Sequence, residues 1–239
     1  MPATSTEPSA MPMPLALAGG LSWDIVDAFS GHNRQQATTV GLMRSVRRDE
    51  ELFAEGAKAK HFYRVVSGTV RMARFLNDGR RQIDAFYLAG DFFGLANSTN
   101  YQFVAEAVDA AIVLSFRRSS IANLLRGNPV LGHQLMLSMM SSLDRAHEHM
   151  VLLGRKNAQQ KMATFLLDMG CRLGHTEKAP DHLALPMPRE DIADYLGLTN
   201  ETVSRTFTQL IRRGLIKFVN TNRTIALSDK DGLVQLSHA

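Results

Sequence analysis

Between Thr38 and Phe116 apolar residues come in short runs: Phe62-Tyr63-Arg64-Val65-Val66, Thr69-Val70-Arg71-Met72 and Ile83-Asp84-Ala85-Phe86-Tyr87, set apart by Gly68, Gly79 and Gly90. Short runs rich in β-branched and aromatic side chains, with turn formers about every ten residues, predict an antiparallel β sandwich or barrel. Asn77-Asp78-Gly79 predicts a hairpin turn, because glycine takes the positive φ that branched residues avoid. Short helices are predicted on either side, at Trp23–Phe29 and Arg118–Leu125.

After Asn128-Pro129, a helix cap followed by a first-turn proline, the pattern lengthens. Residues 130–153 contain no proline and a single glycine, Gly132, which predicts one long helix. Met136, Leu143 and Met150 fall at heptad position a and Met139, Ala146 and Leu153 at d, while Ser142, Asp144, Arg145 and Glu148 face elsewhere. That seam predicts a dimerisation helix; an amphipathic helix laid on its own β domain has the same periodicity. Gly154 marks a break. A further helix is predicted over Asn157–Leu173, then a polar link through Gly174–His182.

Pro188-Arg189-Glu190-Asp191 opens a helix at Ile192–Leu196 that Gly197 ends, and Thr199-Asn200-Glu201 caps another running to about Arg213. Ile192, Ala193, Leu196, Val203, Phe207 and Leu210 form their apolar set, so the pair has helix-turn-helix spacing. Leu215–Val219 and Arg223–Leu227 across Asn220-Thr221-Asn222 predict a hairpin, which completes a winged helix-turn-helix.

Composition narrows the classes. The chain has 239 residues, a net charge of +4 and no apolar run long enough to span a membrane. Cys171 is the only cysteine, so an intrachain disulfide and a cysteine-held zinc or iron–sulfur site are excluded. Residues 1–20 carry four of the eight prolines and no Lys or Arg, and are expected to form a disordered tail rather than a signal peptide, in a cytoplasmic protein. The expected organisation is α+β: tail 1–20, a β jelly-roll domain 21–127, a dimerisation helix 128–154 and a winged helix-turn-helix domain 155–239.

The basic charge is concentrated near the second helix of the motif. Thr199–Arg223 contains Arg205, Arg212, Arg213, Lys217 and Arg223 against one acid, Glu201. Glu201, Ser204 and Arg205 lie at i, i+3 and i+4 and share a helix face. An arginine donates twice to guanine and a glutamate accepts from cytosine in the major groove, so these three are candidate base readers; a solvated Glu–Arg pair has the same spacing. Arg189, Thr199, Thr202, Thr206, Arg212 and Arg213 are candidate phosphate contacts around them.

Leu198-Thr199-Asn200-Glu201-Thr202-Val203-Ser204-Arg205, preceded by Pro188 to Gly197, resembles the recognition region of the Crp/Fnr family of bacterial transcription regulators. Gly68-Thr69-Val70, Gly90-Asp91-Phe92-Phe93-Gly94 and the long helix resemble that family's effector domain and dimer helix, so the likeness covers nearly all of the chain after residue 30. The Glu-x-x-Ser-Arg form resembles the Fnr and FixK branch. That implies a homodimer on double-stranded DNA reading TTGAT half-sites in a palindrome, activation by contact with RNA polymerase (the loop Asn77–Arg81 being a candidate surface), and a link to low-oxygen or nitrogen-oxide metabolism.

The departures from the family pattern concern sensing. Leu95 stands where cyclic-nucleotide binders have Glu, and Tyr101 and Gln102 fall near their phosphate-binding Arg pair, so cyclic-nucleotide binding is not expected. No cofactor is expected, as in FixK-type regulators that act without a bound effector. The alternative is a haem-dependent nitric oxide sensor using some of the eight histidines, among them His61, His133, His147 and His149, against the blander expectation that these are solvated. Cys171, beside Arg172, is a candidate redox residue, with burial as an inert thiol the preferred expectation. An enzyme is ranked far below, since the β segment shows no catalytic triad or carboxylate cluster.

Overall fold

The computed structural model describes residues 41–95, 98–173, 182–219 and 221–238. The tail, the Trp23–Phe29 helix and all but His182 of the polar link lie outside them. Two four-stranded antiparallel sheets enclose the first core. One is ordered β1 (Leu42–Val46), β8 (Ala111–Arg117), β3 (His61–Ser67), β6 (Phe92–Phe93); the other β2 (Glu51–Phe53), β7 (Val104–Ala107), β4 (Val70–Phe75), β5 (Arg81–Tyr87). Val65, Val70, Ala105 and Val113 are fully buried between them. Phe53, Tyr63 and Phe93 stack there with ring centroids 5.2 to 6.2 Å apart. Each large side chain so buried contributes about 1.5–3 kcal/mol. Gly68 shows why the runs need glycine: φ is +78°, and a Cβ there would lie 2.5 Å from the Ala110 carbonyl oxygen.

A 3-10 turn at Arg118–Ser120 leads into α1 (Ile121–Gly127) and then α2 (Pro129–Arg155). The Asn128 side chain accepts from Leu131 N at 3.0 Å and so caps α2. The first turns of α2 bury Leu131 and Leu135 against Phe62, Phe92 and Phe116 of the β domain. Farther along, Met136, Met139, Leu143 and Met150 are each more than half exposed, and Ala146 is exposed with them. Leu153 departs from the predicted seam: it is half-buried and packs on the C-terminal core of its own chain, beside Gly197.

The C-terminal part begins with α3 (Ala158–Leu173), started by a capping box in which Asn157 Oδ1 accepts from Gln160 N at 3.1 Å and Gln160 Oε1 from Asn157 N at 2.7 Å. Then come β9 (His182–Ala184), α4 (Arg189–Leu196), α5 (Asn200–Arg212), β10 (Ile216–Val219), β11 (Thr221–Leu227) and α6 (Lys230–His238). The predicted hairpin is present, but β9 joins it in a three-stranded sheet ordered β10-β11-β9. Neither β9 nor α6 is predicted from the sequence.

The two parts share a core. Ala73, Ile83, Phe86, Val104 and Val108 of the β domain run without a break into Phe165, Leu166, Ile192, Leu196 and Leu210. Around this apolar centre lies a ring of charges. Arg71 on β4, with 8% of its side chain exposed, pairs with Asp49 at 3.1 Å, Glu106 at 2.9 Å and Asp191 of α4 at 2.8 Å. Arg81 on β5 pairs with Asp191 at 2.5 Å and Asp194 at 2.7 Å. Arg172 of α3 reaches Asp91 at 2.9 Å and the Phe86 carbonyl at 2.6 Å. Asn77–Arg80 of the loop expected as a polymerase surface are exposed, whereas Arg81 is half-buried and its guanidinium is committed to Asp191 and Asp194.

His149 also corrects an expectation, since it is buried rather than solvated. Its ring lies flat on Tyr195, centroids 4.0 Å apart, and Nε2 donates to the Tyr195 carbonyl at 2.8 Å. Burial lowers its pKa, against the opposing pull of the Tyr195 carbonyl and Asp84, with Lys161 adding a little. Burial, then the charges of Arg117 and Lys60, lower that of His61. Both rings hold a proton more readily in the unfolded chain, so the unfolded state binds more protons below the ordinary value of 6.5. Stability is therefore expected to fall as pH drops through that value. Thermal denaturation at about pH 7.5 and 5.5 measures this, and His149→Gln should flatten the slope.

Candidate nucleic-acid interface

The helix-turn-helix is set by its turn. Gly197 ends α4 in the left-handed region at φ 60°, and Leu198 N donates back to the Ala193 carbonyl at 3.0 Å. Lys161 of α3 is buried and donates from Nζ to the Leu196 carbonyl at 2.9 Å, a cation at the negative end of α4. Burial lowers its pKa. The Thr199 side chain accepts from Thr202 N at 3.1 Å and starts α5.

Helix α5 has two faces. Val203, Phe207 and Leu210 are buried, and Phe207 meets Phe218 of the wing with centroids 5.7 Å apart. On the opposite face the three predicted base readers come together: Glu201, Ser204 and Arg205, with Thr208, Gln209 and Arg212, line one shallow groove. Arg205 Nη1 lies 3.7 Å from Glu201 Oε1, with side-chain exposures of 65% and 79%. An exposed pair of this kind holds by at most about 1 kcal/mol, so both groups are free to exchange it for a base edge. Thr208 is absent from the sequence prediction, though its i+4 spacing from Ser204 places it on the same stripe.

The predicted phosphate contacts divide. Thr199 is exposed and Thr202 half-buried at the start of α5, their hydroxyls 2.8 Å apart. Arg212 and Arg213 are exposed near its end, where Arg213 donates to Gln159 Oε1 at 2.9 Å and Gln159 in turn to Gln209 Oε1 at 3.0 Å. Thr206 does not belong with them: it is 2% exposed, and its hydroxyl donates to the Thr202 carbonyl at 2.7 Å, so the helix itself consumes it. Arg189 lies with its guanidinium carbon 4.7 Å above the Phe207 ring and 5.3 Å above Phe218, a cation clamped on the aromatic pair under α5.

A cavity of about 370 Å³ separates the β domain from the middle of α2. Phe53, Met72, Tyr87, Phe93 and Phe103 line it opposite Met139, Leu143 and Ala146; among the described residues its one charged lining group is Asp84. Tyr101 stacks on Phe53 at 3.7 Å and donates its hydroxyl to the His61 carbonyl at 2.7 Å. Where the resemblance puts a phosphate-binding arginine there is thus an aromatic ring held against the wall. Cys171 is exposed, not buried as expected, and its neighbour Arg172 is committed to Asp91, Asp168 and Phe86.

Comparison with known proteins agrees with this architecture. Residues 43–128 match the cyclic nucleotide-binding domain and residues 160–236 the Crp-like helix-turn-helix domain. The nitrogen fixation regulation protein FixK of Azorhizobium caulinodans is 38% identical over 228 residues, covering 95% of this chain and 92% of its own. FixK of Bradyrhizobium diazoefficiens is 43% identical over 171 residues, 72% of each chain. The structure of FixK2 from Bradyrhizobium japonicum superposes with a TM-score of 0.75 at 41% identity, covering 84% of this chain and 98% of that one. With its exposed Glu-x-x-Ser-Arg helix, its β domain and these relatives, the chain belongs to the Crp/Fnr family of DNA-binding transcription regulators, as a FixK-like member and not an enzyme.

Proposed function

We propose that the protein acts in the cytoplasm as a homodimer that binds TTGAT-like palindromes, mainly as an activator touching RNA polymerase, without a small-molecule effector. The observation that carries this is the uncovered face of α5, where Glu201, Ser204 and Arg205 stand together with the basic end at Arg212 and Arg213. The methionine-rich stripe of α2 supports a dimer, because a contiguous exposed apolar face on a folded protein marks an interface. The aromatic cavity, with an acid and no base among its described lining, opposes a cyclic phosphate. The link to low-oxygen or nitrogen-oxide metabolism rests on the family resemblance alone.

Fluorescence anisotropy of haem-free protein in air, with no ligand, against a TTGAT palindrome and a scrambled duplex at fixed salt tests the reading. Tight, selective binding is expected; equal binding to both duplexes overturns it. Arg205→Ala should lose roughly 1–3 kcal/mol on the palindrome and relax the preference at one guanine, whereas Arg212→Ala should weaken both duplexes alike and reduce the salt slope by about one.

A further inference from the structure

The reading face of α5 lies on one side of the helix-turn-helix, and the β domain grips the other side through α4. That grip has several separate points. The Asp191 carboxylate, 2% exposed, has both oxygens engaged: Oδ2 accepts from Arg71 at 2.8 Å and Oδ1 from Arg81 at 2.5 Å. One turn along, Asp194 accepts from Arg81 Nε at 2.7 Å. At the end of the helix the Tyr195 carbonyl accepts from Gln82 Nε2 at 3.3 Å and from His149 Nε2 at 2.8 Å. A single attachment leaves a helix free to pivot; attachments at 191, 194 and 195 fix both its tilt and its rotation. Arg71 itself cannot follow a moving helix, because Glu106 on the neighbouring strand and Asp49 hold its remaining nitrogens.

From this geometry we infer that Arg71 and Arg81, on the β domain, are positioning residues for DNA binding. Through Asp191 they set the angle at which the recognition helix is presented. The inference rests on the dimer-on-palindrome reading above, since an angle matters most when two recognition helices must meet one duplex at a fixed spacing. A dimer holding both helices correctly gains the second half-site as an intramolecular event, and loses that gain when geometry forbids simultaneous engagement. Removing either arginine leaves Asp191 buried with half its partners, a state relieved by swinging the carboxylate, and α4 with it, toward water. The uncharged part of the contact, the shared apolar cluster that includes Ile83, Phe86, Phe165 and Ile192 with Phe86 on Tyr195 at 5.4 Å, is non-directional and then holds the two parts together without dictating the angle of α4.

The test is anisotropy with the full-length Arg71→Gln protein on three DNAs: the palindrome, the palindrome with one base pair added between half-sites, and a duplex with a single half-site. We expect roughly 10- to 100-fold weaker binding to the palindrome, unchanged binding to the single half-site and a flattened preference for spacing. Wild-type affinity and spacing preference, or an equal loss on single and paired half-sites, overturns the inference, the latter marking Arg71 as a merely structural residue. Asp191→Asn should reproduce the pattern, and the double variant should be no worse than either single one; additive losses also overturn it. If Arg71→Gln does not fold, the less buried Arg81→Gln decides by the same criteria. Wild-type protein that fails to prefer the palindrome would instead count against the dimeric reading.

Discussion

Leu143→Glu is expected to split the proposed dimer into monomers by light scattering and to weaken palindrome binding by roughly 10²- to 10⁴-fold while sparing a single half-site. Leu143 is 57% exposed near the middle of α2, with Met139 and Ala146 on the same stripe and Met136 and Met150 two turns away on either side. A two-fold axis along such a stripe brings each residue close to its counterpart, so one substitution places two carboxylates in an apolar seam. Burying a charge in an apolar seam costs several kcal/mol, more than one leucine contributes. Unchanged dimer mass for Leu143→Glu would show that the stripe is not the interface.

Phe207→Ala is expected to cost about 3–5 kcal/mol of folding stability and to lower the melting temperature by roughly 10 °C. Phe207 is 2% exposed and joins three things: the buried face of α5, the wing through Phe218, and the guanidinium of Arg189 lying on its ring. Alanine leaves a cavity directly under the reading face. DNA binding should therefore weaken even well below the melting temperature, because the wing and Arg189 lose the surface that seats them. Phe207→Leu restores most of the volume but not the ring, so it should recover stability more than affinity. Parallel recovery of both would show that the ring's contact with Arg189 contributes nothing beyond packing.

What was legible in the sequence was local. Asn128-Pro129, Gly197 and Thr199 act within a turn of where they stand, and each sets the helix end that its chemistry predicts. The shared face of Glu201, Ser204 and Arg205 follows from helical spacing alone. Thr206 is misplaced by that same reasoning, because its hydroxyl has an acceptor one turn back, in the Thr202 carbonyl, that composition does not reveal. Strand β9 is three residues long and exists because Leu183 meets Ile225 of the wing, a pairing across more than forty residues. The Arg71–Asp191 pair, 120 residues apart, leaves no periodic trace at all. Arg81, expected in a surface loop, and His149, expected to be solvated, depart from expectation for the same reason: a distant element covers them.

The shared core has a consequence for cooperativity. Phe86 and Ile83 of the β domain are packed with Phe165, Ile192 and Leu196 in one continuous cluster, so one wall of the C-terminal apolar interior is supplied by the β domain. Heating should melt both parts together, as one transition rather than two. A fragment cut at residue 155 would present the Phe165 and Tyr195 face to water and leave the carboxylates of Asp191 and Asp194 without their arginines. What looks along the chain like an independent DNA-binding module is coupled energetically to the domain before it.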